Sequence, residues 1–277
     1  NKMFYDSLNN SSQKAQYRYL ITGAANDITD ISVDDIRLVY NLFYHPENMF
    51  LTITGNFNPY EMVKIIEDNL AKKEFGKYQN VQIIKESEPK KVTNEYTEEE
   101  IGIAYPQIKY SCKIPLNRFK NIETLDLKMM LNLIMNINFG STSLFKSDLV
   151  LKGLITSMGY SVDIYDEYVV VSLNVMTNYV EEVLKLIKEK MANLVITEKD
   201  VIRKKNANIA TLILDYEDIE QVSLKIQDDI INEGKIITDL KERITNITKE
   251  KLENVSRYLT NDNVAISVFK PKENQEG

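Results

Sequence analysis

Residues 43–59 read FYHPENMFLTITGNFNP, and this stretch carries the strongest indication of the fold. Pro46 cannot continue the helix that precedes it. The segment 49–54 is apolar and β-branched between Asn48 and Gly55, which is typical of a buried strand. Asn58 is a favourable N-cap residue, and the proline after it suits the first position of a helix. The stretch therefore predicts a helix, a turn, a strand and a second helix in that order.

A strong helix is predicted just before this stretch. Ser32 is a good N-cap residue, and Asp34 and Asp35 lie in the first turn, where carboxylates interact favourably with the helix dipole. An apolar face follows at helical spacing, formed by Ile36, Val39, Tyr40 and Phe43.

The same pattern recurs near the end of the chain. Residues 247–270 repeat the cap, apolar helix face, turn and strand of residues 31–54, with Thr248 in the place of Ser32. The pattern predicts a duplicated unit. Because the first copy begins only about 31 residues into the chain and the second begins about 150 residues into its unit, we expect roughly 120 residues of the first unit upstream.

A charged, proline-containing run at residues 72–91 separates the two copies. It predicts the C-terminal part of a first domain at 1–75, a linker at 76–91 and a second domain at 92–277. The alternative is one domain with a long surface loop.

Further elements are predicted in the second domain from periodicity and from turn signals. Gly153 and Gly234 are expected to end helices. Strands are predicted within 92–114 and at 154–164, 168–176 and 264–269, and helices at 117–138, 141–152, 177–194, 197–231 and 248–259.

Composition and charge exclude several classes of protein. The net charge of −7 and the pI near 5.1 argue against binding of nucleic acid or of an anionic lipid surface. No apolar run reaches the length of a membrane span, and no signal peptide opens the chain. A single cysteine, Cys112, excludes internal disulfides and a cysteine-based zinc site. Together these features lead us to expect a cytoplasmic protein.

Few residues suggest chemistry of their own. His45, the only histidine, is either a metal ligand or general base, or a residue at the C-terminal end of a helix. The acidic groups at 98–100 and at Asp163, Asp166 and Glu167 are either paired carboxylates for acid–base work or solvated side chains. Phosphate-binding loops of the Walker and dinucleotide types are lacking.

The stretch 43–59 resembles the insulinase/pitrilysin family of zinc metallopeptidases, in which a helix, a Y-x-P-x-N-M turn and an apolar strand recur. Residues 143–154 are similar to the family's S-x-L-F-x-x-L-R-x-x-x-G-L-x-Y helix. The helix pair within 177–205 and the final helix and strand fit the family as well. Within the family, the chain most resembles bacterial two-domain proteins related to processing peptidases.

The resemblance implies an α+β fold of duplicated domains, each a mostly antiparallel sheet backed by helices, with the first domain incomplete. The family holds zinc through an H-x-x-E-H motif and a distal Glu in the first part of its first domain. This sequence has no H-x-x-E-H. We therefore expect no metal ligands and no catalytic residues in this chain, and zinc in the upstream part if the whole protein is active.

Active relatives place an Arg and, seven residues later, a Tyr against the substrate. Alignment through Gly153 puts Leu149 and Thr156 at these two positions, and neither side chain can make the same contact. Lys146 or Lys152 could supply the charge but not the bidentate geometry of arginine. The resemblance therefore implies degenerate substrate-contact positions.

The resemblance implies the non-zinc, C-terminal part of a zinc metalloendopeptidase, which closes the chamber and holds the peptide substrate. The alternative is an inactive peptidase-like subunit or peptide-binding scaffold that pairs with an active homologue. A third possibility is an unrelated α+β binding domain. Expected partners are a peptide and a homologous subunit or second copy, with no nucleic acid and no membrane. Whether the whole protein is an enzyme stays open at this point, but this chain alone is predicted to be inactive.

Overall fold

The computed structural model describes residue 23, residues 25–82 and residues 88–272. These fall into two compact units, one formed by 88–210 and 239–272 and the other by 23–82 and 211–238. Residues 1–22 of the predicted first domain and 83–87 of the predicted linker lie outside the described residues. The predicted domain boundaries therefore stay a prediction.

The first unit contains a five-stranded sheet with the order β1-β5-β2-β4-β3. Only the β1–β5 pair is parallel, and the other three pairs are antiparallel. The predicted α+β class with a mostly antiparallel sheet is confirmed. The strands are β1 (Tyr96–Ile101), β2 (Gln107–Pro115), β3 (Ser157–Ile164), β4 (Tyr168–Met176) and β5 (Val264–Pro271).

The helices of both units are numbered along the chain. The boundary between the units falls within α7, after Ala210. The α-helices are α1 (Ala25–Asp30), α2 (Val33–Phe43), α3 (Pro59–Leu70), α4 (Thr124–Phe139), α5 (Leu144–Leu151), α6 (Val180–Ala192), α7 (Glu198–Glu217), α8 (Ile219–Glu233), α9 (Leu240–Thr245) and α10 (Lys249–Ser256); short 3-10 helices lie at Pro46–Asn48 and Leu116–Phe119.

Helix α4 provides the centre of the core. Its Leu131, Ile134 and Met135 are completely buried, and the helix packs against β3, α5 and α10. Alternate residues of β2 face the same core because strand side chains point to opposite faces in turn. These residues are Ile108, Tyr110, Cys112 and Ile114, and all are buried.

The opposite face of the sheet is also buried, and it carries polar side chains beside the apolar Tyr168, Val170 and Ala265. The hydroxyls of Ser111 and Ser172 are 2.8 Å apart across the β2–β4 pair and form a hydrogen bond, which satisfies two groups that would be costly to bury alone. Lys113 is buried on the same face, and its ammonium lies 4.3 Å from the centre of the Tyr168 ring. Burial lowers the pKa of Lys113 to about 8, while the charges of Glu88 and Glu167 oppose that shift.

Two helix boundaries differ from the prediction. Helix α5 begins at Leu144 and not at residue 141, because its cap is Ser143, whose hydroxyl accepts from the Lys146 amide at 3.2 Å. The single helix predicted over 197–231 is two helices, because the Asp218 side chain accepts hydrogen bonds from the first amides of α8 and so begins a new helix. Gly234 ends α8 with a φ of 68°, as predicted.

In the second unit the predicted helix starts are confirmed. Ser32 and Asp35 form a reciprocal capping box at α2, and Asn58 caps α3 with Pro59 at its first position. Thr248 likewise caps α10, so the cap recurs in both copies of the repeat.

The strand predicted at residues 49–54 is wrong for the described chain. Met49 is extended, but the segment pairs with no other strand among the described residues, and Leu51 is 69% exposed. An extended segment becomes a strand only when a neighbour satisfies its main-chain groups. Within 28–82 no described side chain is buried, so the apolar face predicted for α2 forms but is exposed.

One side chain joins three segments of the first unit. The Asn263 side chain accepts from the Val92 amide at 2.8 Å and donates to the carbonyl oxygens of Lys90, at 2.9 Å, and Lys113, at 2.7 Å. Residues 90–92 are thereby held against the ends of β2 and β5.

We expect Asn263→Ala to lower the free energy of unfolding by about 2–3 kcal/mol, because it removes three hydrogen bonds worth roughly 1 kcal/mol each. Urea unfolding checks this. Asn232→Ala is the matched control, since Asn232 is exposed and bonds only within its own helix. Equal stability of the two variants would contradict the anchoring role of Asn263.

Candidate functional site

The two positions that the family resemblance singled out lie on either side of a tight turn, Leu149 in the last part of α5 and Thr156 just before β3. Gly153 adopts a φ of 69°, and the Leu154 amide donates to the Leu149 carbonyl oxygen at 2.9 Å. A side chain at this φ would be strained, so glycine is needed to turn the chain from helix into strand.

The two positions have opposite environments. Leu149 is 1% exposed and belongs to the core, whereas Thr156 is exposed. The Thr156 amide donates to the Met176 carbonyl oxygen at 2.8 Å, which fixes the main chain just before β3. The structure thus gives Leu149 a packing environment and leaves Thr156 at the surface, and their role as substrate contacts stays a prediction.

The two nearby lysines are both engaged. The Lys146 ammonium donates to the Met158 carbonyl oxygen at 2.6 Å, and Lys152 pairs with Asp148 at 2.7 Å. Lys146 is therefore bound to the first part of β3.

Strand β3 lies at one edge of the described sheet. The Tyr165 amide donates to the Tyr168 carbonyl oxygen at 2.8 Å, and antiparallel pairs alternate between bonded and non-bonded. Every second residue of β3 consequently directs its amide and carbonyl groups away from β4. These outward residues are Met158, Tyr160, Val162 and Ile164.

The edge of β3 is a template for another extended chain. A strand that adds to a sheet edge gains main-chain hydrogen bonds that do not depend on its sequence. The four residues whose main-chain groups point away from β4 keep their side chains in or near the core. Gly159 and Asp163, on the other face of the sheet, are exposed. Sequence reasoning missed this edge because main-chain groups leave no sequence signal.

His45 is engaged in local structure. Its Nδ1 accepts from the Glu47 amide at 3.2 Å, so Nε2 carries the proton and donates to the Gly76 carbonyl oxygen at 3.0 Å. The ring also contacts Phe75 and Tyr78. His45 was predicted to be either a metal ligand or general base, or a residue at the C-terminal end of a helix. The structure favours the second interpretation.

Two side chains of the acidic groups, Glu98 and Asp163, are engaged by neighbouring residues. Glu98 pairs with Lys270 at 2.5 Å and accepts from the Tyr96 hydroxyl at 2.7 Å, and the hydrogen bond from Lys270 is the main cause of its lowered pKa. Asp163 accepts from the Ser161 hydroxyl at 2.9 Å. Across the described residues, no three His, Cys, Asp or Glu side chains come together as metal ligands.

Cys112 does not have the environment of a nucleophile. The thiol is 1% exposed and donates to the Thr260 carbonyl oxygen at 3.4 Å, and burial raises its pKa to about 12.

Comparison with known proteins identifies relatives. A family model described as the peptidase M16 inactive domain matches residues 30–208. A Bacillus subtilis protein described as an uncharacterized zinc protease, YmfH, is 26% identical over 168 residues, which cover 60% of this chain and 39% of that protein. The chain therefore spans well under half the length of this curated relative.

Solved structures show the same fold. A putative M16-like peptidase from Alicyclobacillus acidocaldarius is 18% identical with a TM-score of 0.84, covering 98% of this chain and 64% of that one. A peptidase M16 inactive domain from Pseudomonas fluorescens is 14% identical with a TM-score of 0.71, at 98% and 64% coverage. Separately, none of the helices in the described residues has the length and apolarity to cross a membrane.

The buried position of Leu149 leads to a first prediction for this site. We expect Leu149→Arg to lower the free energy of unfolding by about 3 kcal/mol or more, because it buries a charge without a partner. Val150→Arg introduces the same side chain one residue later on α5, where Val150 is 50% exposed, and should change stability by less than about 0.5 kcal/mol. Urea unfolding gives the free energy of unfolding of both variants. Equal values for the two would show that Leu149 is not part of the core.

The Cys112 environment leads to a second prediction. In the native protein at pH 8 we expect no reaction of Cys112 with Ellman's reagent over the time in which a free thiol reacts completely. The same sample should be labelled fully in urea, once burial no longer raises the thiol pKa. Rapid labelling of the folded protein, followed by absorbance at 412 nm, would contradict the burial.

Proposed function

Because the chain belongs to the M16 peptidase family and matches its inactive domain, we propose that it holds an extended peptide while another part of the enzyme supplies zinc and cleaves. The observation that carries this proposal is the outward edge of β3, next to the α5–β3 turn. The family resemblance to insulinase-type peptidases supports it.

The edge can hold a peptide without any catalytic side chain. The amides and carbonyl oxygens of Met158, Tyr160, Val162 and Ile164 would bond to the main chain of the peptide as in an antiparallel or parallel pair. Because these bonds do not select side chains, the domain would accept many sequences. Closing of the chamber around such a peptide belongs to the same proposal.

Lys146 controls the start of this edge. Its ammonium already donates a hydrogen bond to the Met158 carbonyl oxygen, so an incoming amide would compete with it for that acceptor. A charged side chain held against an edge strand also disfavours unwanted pairing with other strands, although Lys146 itself lies on α5. We expect Lys146 to lower the affinity for a peptide whose register needs the Met158 carbonyl.

Zinc would supply hydrolysis by activating a water molecule, as in the family. The described residues do not fit a zinc site, since they bring no set of ligands together. The chain would thus contribute binding and exclusion of water, and its partner would be the zinc-bearing part, on the same chain, on a homologous subunit or on a second copy.

A second candidate function is an inactive subunit that pairs with an active homologue. The burial of Leu149 and the small, exposed Thr156 favour it, since active relatives use an Arg and a Tyr at these positions. The zinc content of the natural full-length protein separates the two. About one zinc per chain supports the peptidase, and no zinc supports the inactive subunit.

Amide hydrogen exchange tests the edge directly. When a neutral, unstructured peptide is added to the 277-residue chain, the outward amides of β3 should exchange more slowly. The amides of Gly159, Ser161 and Asp163 face β4 and should change little, because they are already bonded. Slowing confined to other strands, or no slowing anywhere, would contradict the proposal.

Substitution of the controlling lysine provides the matched variant. Lys146→Met should raise the affinity for the neutral peptide about threefold, because one competing hydrogen bond of roughly 0.5–1 kcal/mol is removed. Lys152→Met, on the same helix but paired with Asp148, should leave the affinity unchanged. Fluorescence anisotropy gives both dissociation constants, and identical shifts in the two variants would count against the edge.

A further inference from the structure

A basic cleft lies at the far end of the sheet from the α5–β3 turn. It has a volume of about 640 Å³ and is lined by residues of the end of β2, the 3-10 helix after it, the segment before β1 and the turn before β5. One lining residue, Asp262, is acidic. Five are basic, namely Lys90, Lys91, Lys113, Arg118 and Arg257.

The positive charge is locally concentrated in an acidic chain. The whole chain has a net charge of −7. Four of the basic side chains, those of Lys90, Lys91, Arg118 and Arg257, are exposed, and none of them is in an ion pair within the part of the chain that the structure describes. Elsewhere in the same unit, basic side chains such as Arg243 and Lys270 are paired with carboxylates.

The main chain that carries these cations is held in place. Asn263 anchors the segment with Lys90 and Lys91 through its bonds to the Lys90 carbonyl oxygen and the Val92 amide. The rings of Phe119 and Tyr258 pack edge to face at 5.0 Å, which joins the 3-10 helix of Arg118 to the end of α10 next to Arg257. The cations therefore surround the cleft on fixed elements, a preorganisation that lowers the cost of binding.

The surrounding groups favour carboxylates spread along a peptide. The exposed cations lie on three separate segments, so they present several single charges at different places. Two of the four are lysines, which act as point charges. Pro115 and Tyr258 add apolar surface to the same cleft, and this suits the backbone and methylenes of a peptide.

We infer that this cleft binds an acidic segment of a peptide, a role that rests on the proposed function and gives it a substrate class. The ligand has several Asp or Glu side chains and an otherwise extended backbone. The nine-residue β2 separates the cleft from the sheet end where β3 begins, a span of roughly 25–30 Å. A peptide that reaches both places needs about eight extended residues between them.

The test uses two fluorescein-labelled peptides of about twelve residues, roughly 40 Å when extended. One alternates Glu and Ser, and the other alternates Gln and Ser. Anisotropy titrations with the 277-residue chain at about 50 mM salt should give at least about tenfold tighter binding of the Glu peptide. The difference should shrink as salt is raised, because surface charges are screened.

Charge reversal locates the binding. Lys90→Glu with Lys91→Glu should weaken binding of the Glu peptide at least about tenfold and leave the Gln peptide within about twofold. Lys185→Glu with Lys241→Glu changes the net charge by the same amount. Both lysines are exposed, lie outside the cleft and form no ion pair with another described residue, so this variant should weaken binding less than about twofold. If thermal unfolding shows that the first variant is not folded, Arg118→Gln with Arg257→Gln replaces it. This second variant should also weaken binding of the Glu peptide.

Four results would overturn the inference. Equal weakening by the cleft and control variants would mean a general charge effect. Equal binding of the Glu and Gln peptides would leave peptide holding intact but remove the acidic class, whereas binding of neither peptide would remove both proposals. Displacement of the Glu peptide by inorganic tripolyphosphate at a far lower concentration than by unlabelled Glu peptide would assign the cleft to phosphates instead.

Discussion

Strand β2 can satisfy its main-chain hydrogen bonds only inside a sheet, and most of the first unit depends on that requirement. It pairs with β4 along its whole length and with β5 over Gln107–Cys112. Those two pairings leave β3 at one edge of the described sheet. They also bring the end of β2 to Asn263, which anchors the segment before β1. The proposed peptide edge and the basic cleft are thus both consequences of one central strand.

Local chemistry in the sequence predicted most elements correctly. Ser32, Asn58 and Gly234 were recognisable because a cap or a left-handed turn depends on a few neighbouring residues. The strand expected at 49–54 failed because a strand also needs a partner, which its own residues cannot reveal. The break at Asp218 was missed since an aspartate occurs both within helices and at their starts.

The candidate sites were less predictable than the fold. The family resemblance pointed to Leu149 and Thr156, but only the structure distinguishes a core leucine from an exposed threonine. The edge of β3 consists of main-chain groups, and the cleft gathers cations that are up to about 167 residues apart in the sequence, from Lys90 to Arg257. Neither arrangement has a local motif. The chain matches the peptidase M16 inactive domain, and the proposal assigns peptide binding to this chain and zinc-dependent cleavage to another part of the enzyme.

The most direct test of that division is a cleavage assay on the binding-competent chain. The purified 277-residue protein is incubated with an unstructured peptide at a concentration that saturates binding, with stoichiometric zinc, and the peptide is followed by mass spectrometry. The account predicts that the peptide is bound but remains intact. Cleavage that requires zinc and stops on addition of a chelator would contradict the account, because this chain itself would then have to hold a catalytic metal.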